Sequence, residues 1–239
     1  MTEQTTQKKY ELLKDDTVEH FGRTLYRIKA LITFGLVGAG QLGGYIETEK
    51  NLDHSGNAWV YDNALVYDDA RVYGNACVYD DAWVYGDARV YGNACVYDNA
   101  RVFGNAWMCG NARVYAKAWV YGDARVFGNA LVYGDACVYG DAWVYGNACV
   151  YGNARVFGNA WVRSLAVISE RKMIFWASNV GSENGTLTVS NGKFGLIVTR
   201  GCFTGTVDEF LSKSKEVHDD KTHHEYKLLI EVAQSRILN

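Results

Sequence analysis

The chain has 239 residues, of which 49% are apolar and 14% aromatic, and its formal net charge is -3. This provides enough apolar material for a core, and the small charge excludes a general polyanion binder and a disordered acidic tail. Proline is absent, although average usage of about 5% would give roughly a dozen. Because proline cannot donate a backbone hydrogen bond, its absence favours a continuous backbone ladder and excludes collagen-like and proline-rich structures.

The first 55 residues predict a strand-rich entry without a targeting signal. The start is polar, and the longest apolar run, residues 30–40, is far shorter than the roughly 20 residues of a membrane helix. Residues 23–31 alternate like a strand, and Ile46 and Leu52, six positions apart, begin an irregular first coil. The six cysteines lack the spacing of a disulfide framework. We expect a soluble cytoplasmic protein with free thiols and no membrane partner.

A repeat occupies the middle of the chain. Residues 56–163 divide without gaps into 18 units of six residues, with alanine third in all 18 and valine fifth in 17, the exception being Met108. The sixth position is tyrosine in 13 units and phenylalanine in three. The first two positions are mostly glycine, asparagine or aspartate, which tolerate the left-handed backbone of a tight turn. Each unit therefore predicts a short strand and a turn.

The volume of the repeated side chains predicts which face is inside. Period-two alternation places alanine and valine on one face, and the fourth and sixth positions on the other. A coil closed from three such units has room at its axis for methyl and isopropyl groups but not for rings. We therefore predict that alanine and valine point inward and the aromatic residues outward. Six coils at about 4.8 Å each give a three-sided prism roughly 29 Å long.

Every third unit belongs to one side of this prism, and the three sides differ. On the first side the second position is asparagine in all six coils, from Asn57 to Asn147. Stacked asparagines hydrogen-bond along a column, so this uniformity favours stacking in register. On the third side the fourth position is occupied by Arg71, Arg89, Trp107, Arg125, Trp143 and Trp161.

After residue 163 the sequence predicts a small α+β domain. Asn191-Gly192 is a strong type I′ turn signal within a hairpin over residues 187–199. Two capping-box patterns then open two helices, and the second helix carries one apolar stripe that we expect to pack on the hairpin. The capping pairs are Thr206 with Glu209 and Thr222 with Glu225, and the stripe is Tyr226, Leu229, Ile230, Ala233 and Ile237.

These patterns divide the chain into three parts. Residues 1–55 form the N-terminal cap and lead-in coil, residues 56–163 the solenoid, and residues 164–239 the C-terminal domain. Both end regions are expected to cover the open ends of the solenoid, because an uncovered coil end is an exposed sheet edge that recruits other chains.

The repeats resemble those of left-handed parallel β-helix proteins, in which a small residue follows an aliphatic one by four positions, as Ala64 follows Val60. Left-handedness is implied by this resemblance alone, because parallel crossovers in general favour the right-handed form. The whole chain also resembles a family of hexapeptide-repeat proteins from phages, prophages and gut bacteria. The segments that carry this likeness are Gly43-Gly44-Tyr45-Ile46-Glu47, Lys50-Asn51-Leu52, Gly201-Cys202-Phe203-Thr204-Gly205-Thr206 and Asp208-Glu209-Phe210. The resemblance implies a phage-like setting in a bacterial host but no established activity.

The best-known enzymes on left-handed hexapeptide helices are acyltransferases, which use a histidine as general base and bind acyl-CoA between subunits. That chemistry needs an imidazole beside the coils. Only His54, at the entry, meets this requirement, because no histidine occurs from residue 57 to residue 217. His54 is a catalytic candidate only if the protein is an acyltransferase, so this class is the runner-up, and we expect no enzyme activity and no cofactor.

Two other groups of residues raise metal or redox hypotheses. His223 and His224 are adjacent, so on a helix they point about 100° apart and cannot easily share one ion. We expect no metal site there. Cys77 and Cys95 are predicted to stack about 4.8 Å apart, within disulfide reach, although a small apolar filler on a parallel ladder is the plainer explanation.

The outer surface carries the functional prediction. Tryptophan, tyrosine and arginine dominate interface hot spots, and six aromatic-rich coils expose more apolar area than a monomer usually tolerates. We predict a non-enzymatic scaffold whose third side binds a protein of host or phage, in order to block a host defence, and which self-associates. The predicted binding residues are Trp107, Trp143, Trp161, Arg71, Arg89, Arg125, Tyr73, Tyr91 and Tyr145.

Other partners are less favoured. Within the repeats ten aspartates oppose eight lysines and arginines, counting Arg163, so phosphates of a nucleic acid or nucleotide would find few cations. Glycans stack on tryptophan and tyrosine, but glycan binding is less favoured because we expect no export signal. A self-polymerising structural protein and a ligand-sequestering protein remain alternatives.

Overall fold

The protein forms a parallel β-solenoid of about seven turns with a C-terminal sheet and two helices. The computed structural model describes residues 8–239, so residues 1–7 of the predicted cap lie outside it. Each two-residue rung pairs in parallel with the rung 18 residues later, as Cys95 pairs with Arg113. The three-sided coil of 18 residues is therefore confirmed. Its left-handed sense stays a prediction.

Three sheets make up the sides. The first side contains Trp59–Val60, Cys77–Val78, Cys95–Val96, Arg113–Val114, Leu131–Val132, Cys149–Val150 and Val167–Ile168. The second side contains Leu65–Val66, Trp83–Val84, Arg101–Val102, Trp119–Val120, Cys137–Val138 and Arg155–Val156. The third side contains Arg71–Val72, Arg89–Val90, Trp107–Met108, Arg125–Val126, Trp143–Val144 and Trp161–Val162.

The core of the solenoid is a narrow column of methyl groups. The alanine at the third position and the valine at the fifth are 0% exposed in every unit, and so is Met108. Burial of apolar area at about 25 cal/mol per Å² is the main force that holds the coils together. The predicted assignment of inner and outer faces is confirmed.

Tight turns join the rungs, and their first residue lies in the left-handed region. Gly110 has φ +68°, and a Cβ atom there would lie 2.9 Å from the amide nitrogen of Gly128 in the next coil. Asp98 and Ala116 occupy the same position in other units with φ 57° and 59°. Close stacking of the turns therefore favours glycine.

The predicted asparagine column is present on the first side. The side-chain amide of each asparagine from Asn57 to Asn129 donates to the amide oxygen of the next one, at 2.9–3.1 Å. These bonds run parallel to the backbone ladder and fix the register of the turns.

At the N-terminal end, β1 (Tyr10–His20) and β2 (Arg23–Ala30) form an antiparallel hairpin. β2 pairs antiparallel with β3 (Leu42–Ile46), and β3 pairs in parallel with the first rung of the second side. The hairpin therefore continues the second sheet beyond its first rung. A short 3-10 helix, Glu49–Asn51, leads into the first coil.

The hairpin covers part of the second side as well as the end of the solenoid. Leu25 packs with Leu65 and Tyr67, which are buried beneath it, whereas Tyr10 and Ile28 join the solenoid core. From the sequence we predicted that the entry region covers only the open end of the solenoid. Ile46 and Leu52 do begin the first coil, since they pair with residues of the next one and are 0% exposed.

The parallel ladder continues past residue 163 to the rung Val167–Ile168, and a 3-10 helix, Arg171–Met173, follows it. A four-stranded antiparallel sheet comes next. Its strands are β4 (Ile174–Val180), β5 (Gly185–Gly192), β6 (Gly195–Arg200) and β7 (Phe203–Thr206). This sheet lies against the last coil.

The predicted turn at Asn191-Gly192 is wrong. Gly192 pairs with Gly195, so the turn residues are Lys193 and Phe194. The last coil holds the strand in this longer form, because the Asn191 side chain donates to the carbonyl of Val167 at 3.1 Å and Ala166 pairs with Gly192. Tertiary contact overrides the local turn signal.

Two helices pack on this sheet, α1 (Val207–Val217) and α2 (Asp220–Ile237). The capping box of Thr206 and Glu209 opens α1 as predicted. The second capping box is wrong, because α2 begins earlier and its cap is Asp219, whose carboxylate accepts from the N–H of Thr222 at 2.8 Å.

The predicted apolar stripe of α2 does face the sheet. Tyr226, Ile230, Ala233 and Ile237 are buried in the C-terminal core, and Leu229 packs at its edge.

Candidate functional site

The outward fourth-position residues of the third side form one stacked column, named here the Arg/Trp column (Arg71, Arg89, Trp107, Arg125, Trp143, Trp161). The Arg125 guanidinium lies 4.9 Å from the ring centres of both Trp107 and Trp143, and Arg89 lies 5.1 Å from Trp107. The rings of Trp143 and Trp161 are stacked at 5.1 Å. Cation–π and ring stacking therefore order the column without salt bridges.

This stacking uses the faces of the rings. Both faces of a tryptophan such as Trp143 meet a neighbour along the solenoid axis, so the column presents ring edges and guanidinium groups to solvent. All three tryptophans of the column are half-buried, whereas Arg71, Arg89 and Arg125 are exposed. Planar ligands therefore find few free ring faces along it.

The sixth-position residues form a second column on the third side. Tyr73 and Tyr91 stack at 4.9 Å and Phe127 and Tyr145 at 4.6 Å, and Cys109 interrupts the rings between these two pairs. A hydrogen bond with the Cys109 thiol and burial together raise the pKa of Tyr91 to about 12. Burial also raises the pKa of Tyr73, so both phenols are neutral near pH 7.

Two shallow clefts flank the Arg/Trp column. One of about 260 Å³ is lined by Asp87, Asn105 and Asp123 on one wall and by column residues on the other. The second, of about 390 Å³, is lined by Asp141, Trp143, Asn159 and Trp161 together with Arg200 from β6. A carboxylate wall thus faces an arginine and tryptophan wall along the third side.

A larger cleft, of about 520 Å³, lies at the N-terminal end of the third side. Arg71, Arg89 and Tyr73 form one wall, and the entry segment from Glu49 to His54 forms the other. The structure therefore brings three of the predicted binding residues together with His54. The sequence did not predict this proximity, because nothing in the repeat indicates where the irregular entry segment folds back onto the coils.

The ring of His54 is engaged by the backbone and by Tyr10. The N–H of Lys9 donates to Nδ1 of His54 at 3.2 Å, and its ring stacks on Tyr10 at 4.3 Å. The neutral imidazole therefore carries its proton on Nε2, which lies 3.7 Å from Glu49. A base must accept a proton at the nitrogen that faces its substrate. Nδ1 of His54 already accepts from the backbone, whereas Nε2 has no hydrogen-bond partner among the described residues.

The acidic residues of this cleft already have partners. Hydrogen bonding from Lys8 holds the pKa of Glu49 below its ordinary value, and the Lys8–Glu49 contact is 2.7 Å. Burial works against ionisation of Asp53, but the N–H and hydroxyl of Ser55 both donate to it and its pKa is lowered. Both carboxylates are therefore ionised and engaged at neutral pH.

The tryptophans of the other two sides differ in exposure. Trp59 occupies an outward position but is 0% exposed, because the entry covers it with Tyr10 and Phe34. Trp83 packs against His20 and Arg101. Trp119, beyond the hairpin on the second side, is 40% exposed.

The other chemical candidates remain apart. Cys77 and Cys95 are paired neighbours on the first side, and their thiols donate to the carbonyls of Asn75 and Asn93 at 3.7 Å. The interaction between the two thiols raises the pKa of Cys77 and lowers that of Cys95. His223 contacts the Ser214 hydroxyl at 3.2 Å. Across residues 8–239, no three histidine, cysteine or acidic side chains come together as metal ligands.

None of the helices in the described part of the chain combines the length and apolar character needed to cross a membrane. A comparison with curated proteins found no match. Seven stretches of the solenoid match the family model described as YdcK beta solenoid repeat, namely residues 70–86, 82–97, 94–110, 108–122, 118–134, 124–140 and 148–164. The chain is thus similar to that repeat family in its coils, and the matched description specifies a fold.

Proposed function

We propose that this protein is a non-enzymatic binding scaffold whose third side holds a protein partner. The observation that carries the proposal is the Arg/Trp column, in which three arginines and three tryptophans stack over six coils on a hydrogen-bonded frame. Its side chains are ordered before binding, so little conformational entropy is lost when a partner docks. Tryptophan and arginine are also the residue types that contribute most at protein interfaces.

The geometry favours a protein over a nucleic acid or a sugar. Bases and sugars bind aromatic residues through ring faces, and along this column the ring faces of Trp107 and Trp143 are already covered. Asp87, Asp123 and Asp141 line the clefts beside the column, and they would repel a phosphate backbone. A protein can instead insert side chains of both charges into these clefts.

The setting of the partner comes from the family resemblance. A phage-like protein without a catalytic residue fits a role in occupying a host or phage protein in the bacterial cytoplasm, and so in blocking a host defence. This part of the proposal depends on the resemblance, not on the geometry of the third side.

Self-association is the second part of the proposal. Trp119 and Phe157 lie beyond the hairpin on the second side and are 40% and 36% exposed, which suits contact with a second copy. The C-terminal sheet covers the last coil: the backbone N–H of Trp161 donates to the Thr188 hydroxyl, and Phe157 packs on Trp176. Covered coil ends favour a discrete oligomer over filaments.

The test is capture from host lysate followed by measurement with the purified partner. We expect a protein that binds the wild-type chain and is lost when Trp107, Trp143 and Trp161 are all changed to alanine. Trp119→Ala on the second side is the matched control and should keep the partner. Equal binding by the triple variant and the wild type, with unchanged thermal melting, would reject the third side as the contact surface.

Two further measurements examine the other parts. Light scattering should give one discrete oligomer, which Trp119→Ala shifts to smaller mass, and electron micrographs with filaments would contradict this. Calorimetry with acetyl-CoA should show no binding; binding together with acyl transfer that a His54→Ala variant loses would overturn the non-enzymatic assignment.

A further inference from the structure

The cleft of about 520 Å³ at the N-terminal end of the third side contains a charge arrangement found nowhere else on the fourth-position columns. Arg71 and Arg89 are direct neighbours on adjacent rungs, and they are the only like-charged pair stacked in those columns. Like charges directly opposite each other destabilise a sheet. Such a pair is stabilised when an anion binds between the two groups.

The two guanidinium groups also lack acidic partners. Neither Arg71 nor Arg89 has a carboxylate within 4.0 Å among residues 8–239, where the salt bridges lie elsewhere. Arg89 contacts the ring of Trp107 on one side only. The carboxylates of the cleft, Glu49 and Asp53, are engaged by Lys8 and Ser55.

The spacing selects the ligand. Arg71 and Arg89 lie on neighbouring rungs, whose backbones are about 4.8 Å apart, and each guanidinium presents a planar fork that binds a phosphate oxygen pair. Glu49 and Asp53 line the same cleft, so an anion with a single charge gains little net attraction. Two linked phosphoryl groups can place one group on each guanidinium fork and so hydrogen-bond to both arginines at once.

We propose that Arg71 and Arg89 form a binding site for a diphosphate group. Lys50, which lines the same cleft, supplies a third cation at its rim. The composition of the repeats as a whole argues against phosphate binding. This cleft is more cationic than the rest of the repeats, because the entry segment adds Lys50 to the two stacked arginines. Both arginines also belong to the Arg/Trp column, so this site overlaps the N-terminal end of the protein-binding surface proposed above.

Calorimetry with inorganic pyrophosphate at low ionic strength tests the site. The wild type should bind, and Arg71→Gln or Arg89→Gln should each weaken binding by about tenfold or more, as loss of a charged hydrogen-bonding pair predicts. The matched control is Arg113→Gln, an exposed arginine of the first side, which should leave the affinity unchanged. Inorganic phosphate should bind more weakly than pyrophosphate.

Three results would overturn the site: no binding of pyrophosphate to the wild type, equal losses in Arg113→Gln and Arg89→Gln, or equal affinity for phosphate and pyrophosphate. Thermal melting of each variant shows that the coils remain folded. Adenosine diphosphate in a parallel titration separates two sources of the group, since tighter binding than pyrophosphate indicates a nucleotide and equal binding indicates the free anion, and either supports the site. Loss of pyrophosphate binding with retained protein capture leaves the proposed function standing.

Discussion

The solenoid and the C-terminal region bury their apolar side chains in opposite ways. Every coil buries the same small residues at the same positions, each 0% exposed. The C-terminal core is a single cluster of large and different side chains, among them Leu187, Phe210 and Tyr226. The stability of a solenoid is close to a sum of nearest-neighbour terms, whereas a globular core fails as a unit when one large member is lost.

The largest effect is therefore expected in the C-terminal region. Tyr226 is 0% exposed, contacts Phe210, and its hydroxyl accepts from Arg200 at 3.1 Å. Tyr226→Ala should cost about 3–5 kcal/mol, as for other large aromatic truncations. We expect loss of the helical circular dichroism from α1 and α2 while the β signal of the coils remains.

The control for this prediction lies on the same helix. Leu228 is 48% exposed, so Leu228→Ala should leave both signals nearly unchanged. Joint loss of the helical and β signals in Tyr226→Ala would mean that the two regions unfold together, and the contrast between them would fail.

The same contrast explains how much of the structure could be predicted from the sequence. Faces, coil length and the asparagine column followed from the repeat, because 18 copies of one unit report the same physical constraint. The turn at Lys193-Phe194 and the Asp219 cap did not follow, since a unique contact to Val167 and an earlier helix start decided them.

The candidate site likewise has one part that the sequence predicts and one part that it does not. The Arg/Trp column was predictable from periodicity, as Trp107 and Arg125 fall 18 residues apart. The N-terminal cleft was not, because it forms where the irregular segment around Lys50 and His54 returns to the coils. Burial of Trp59 was missed for the same reason.

A smaller effect should repeat from coil to coil. Val96 and Val132 occupy the same position on the first side and are both 0% exposed. Valine to alanine at either position should cost about 2–3 kcal/mol, from lost transfer free energy and the remaining cavity. Denaturant unfolding of the two variants should give values that agree within about 0.5 kcal/mol, because both coils bury the same residue types apart from Met108 in the coil of Val96.

Clearly unequal costs at Val96 and Val132 would show that coils differ in rigidity despite their equal burial. A gradient along the axis would identify the end cover, and not the coil itself, as the source of stability.

The smallest effect concerns Cys109, which interrupts the aromatic column of the third side between two rings. Cys109 lies between Tyr91 and Phe127 in the sixth-position column of the third side. The other five coils carry an aromatic ring at this position or, in the last coil, Arg163. Cys109→Tyr should stack on both neighbouring rings at the spacing of the other pairs, 4.6–5.0 Å. We expect a gain of about 1 kcal/mol, since each stacked pair contributes about 0.5–1.5 kcal/mol and the new side chain loses rotational freedom.

Cys109→Ser removes the thiol without adding a ring, so it separates stacking from loss of the cysteine. A higher melting temperature for the tyrosine variant than for both the serine variant and the wild type would attribute stability to the continuous column of rings. Equal melting of the tyrosine and serine variants would show instead that each ring is stabilised by its own coil, in which case the outer columns add little to the methyl core. Trp107 and Arg125 are paired rungs beside this position. A change in partner capture by the Cys109 variants would therefore show that the sixth-position column affects the Arg/Trp column.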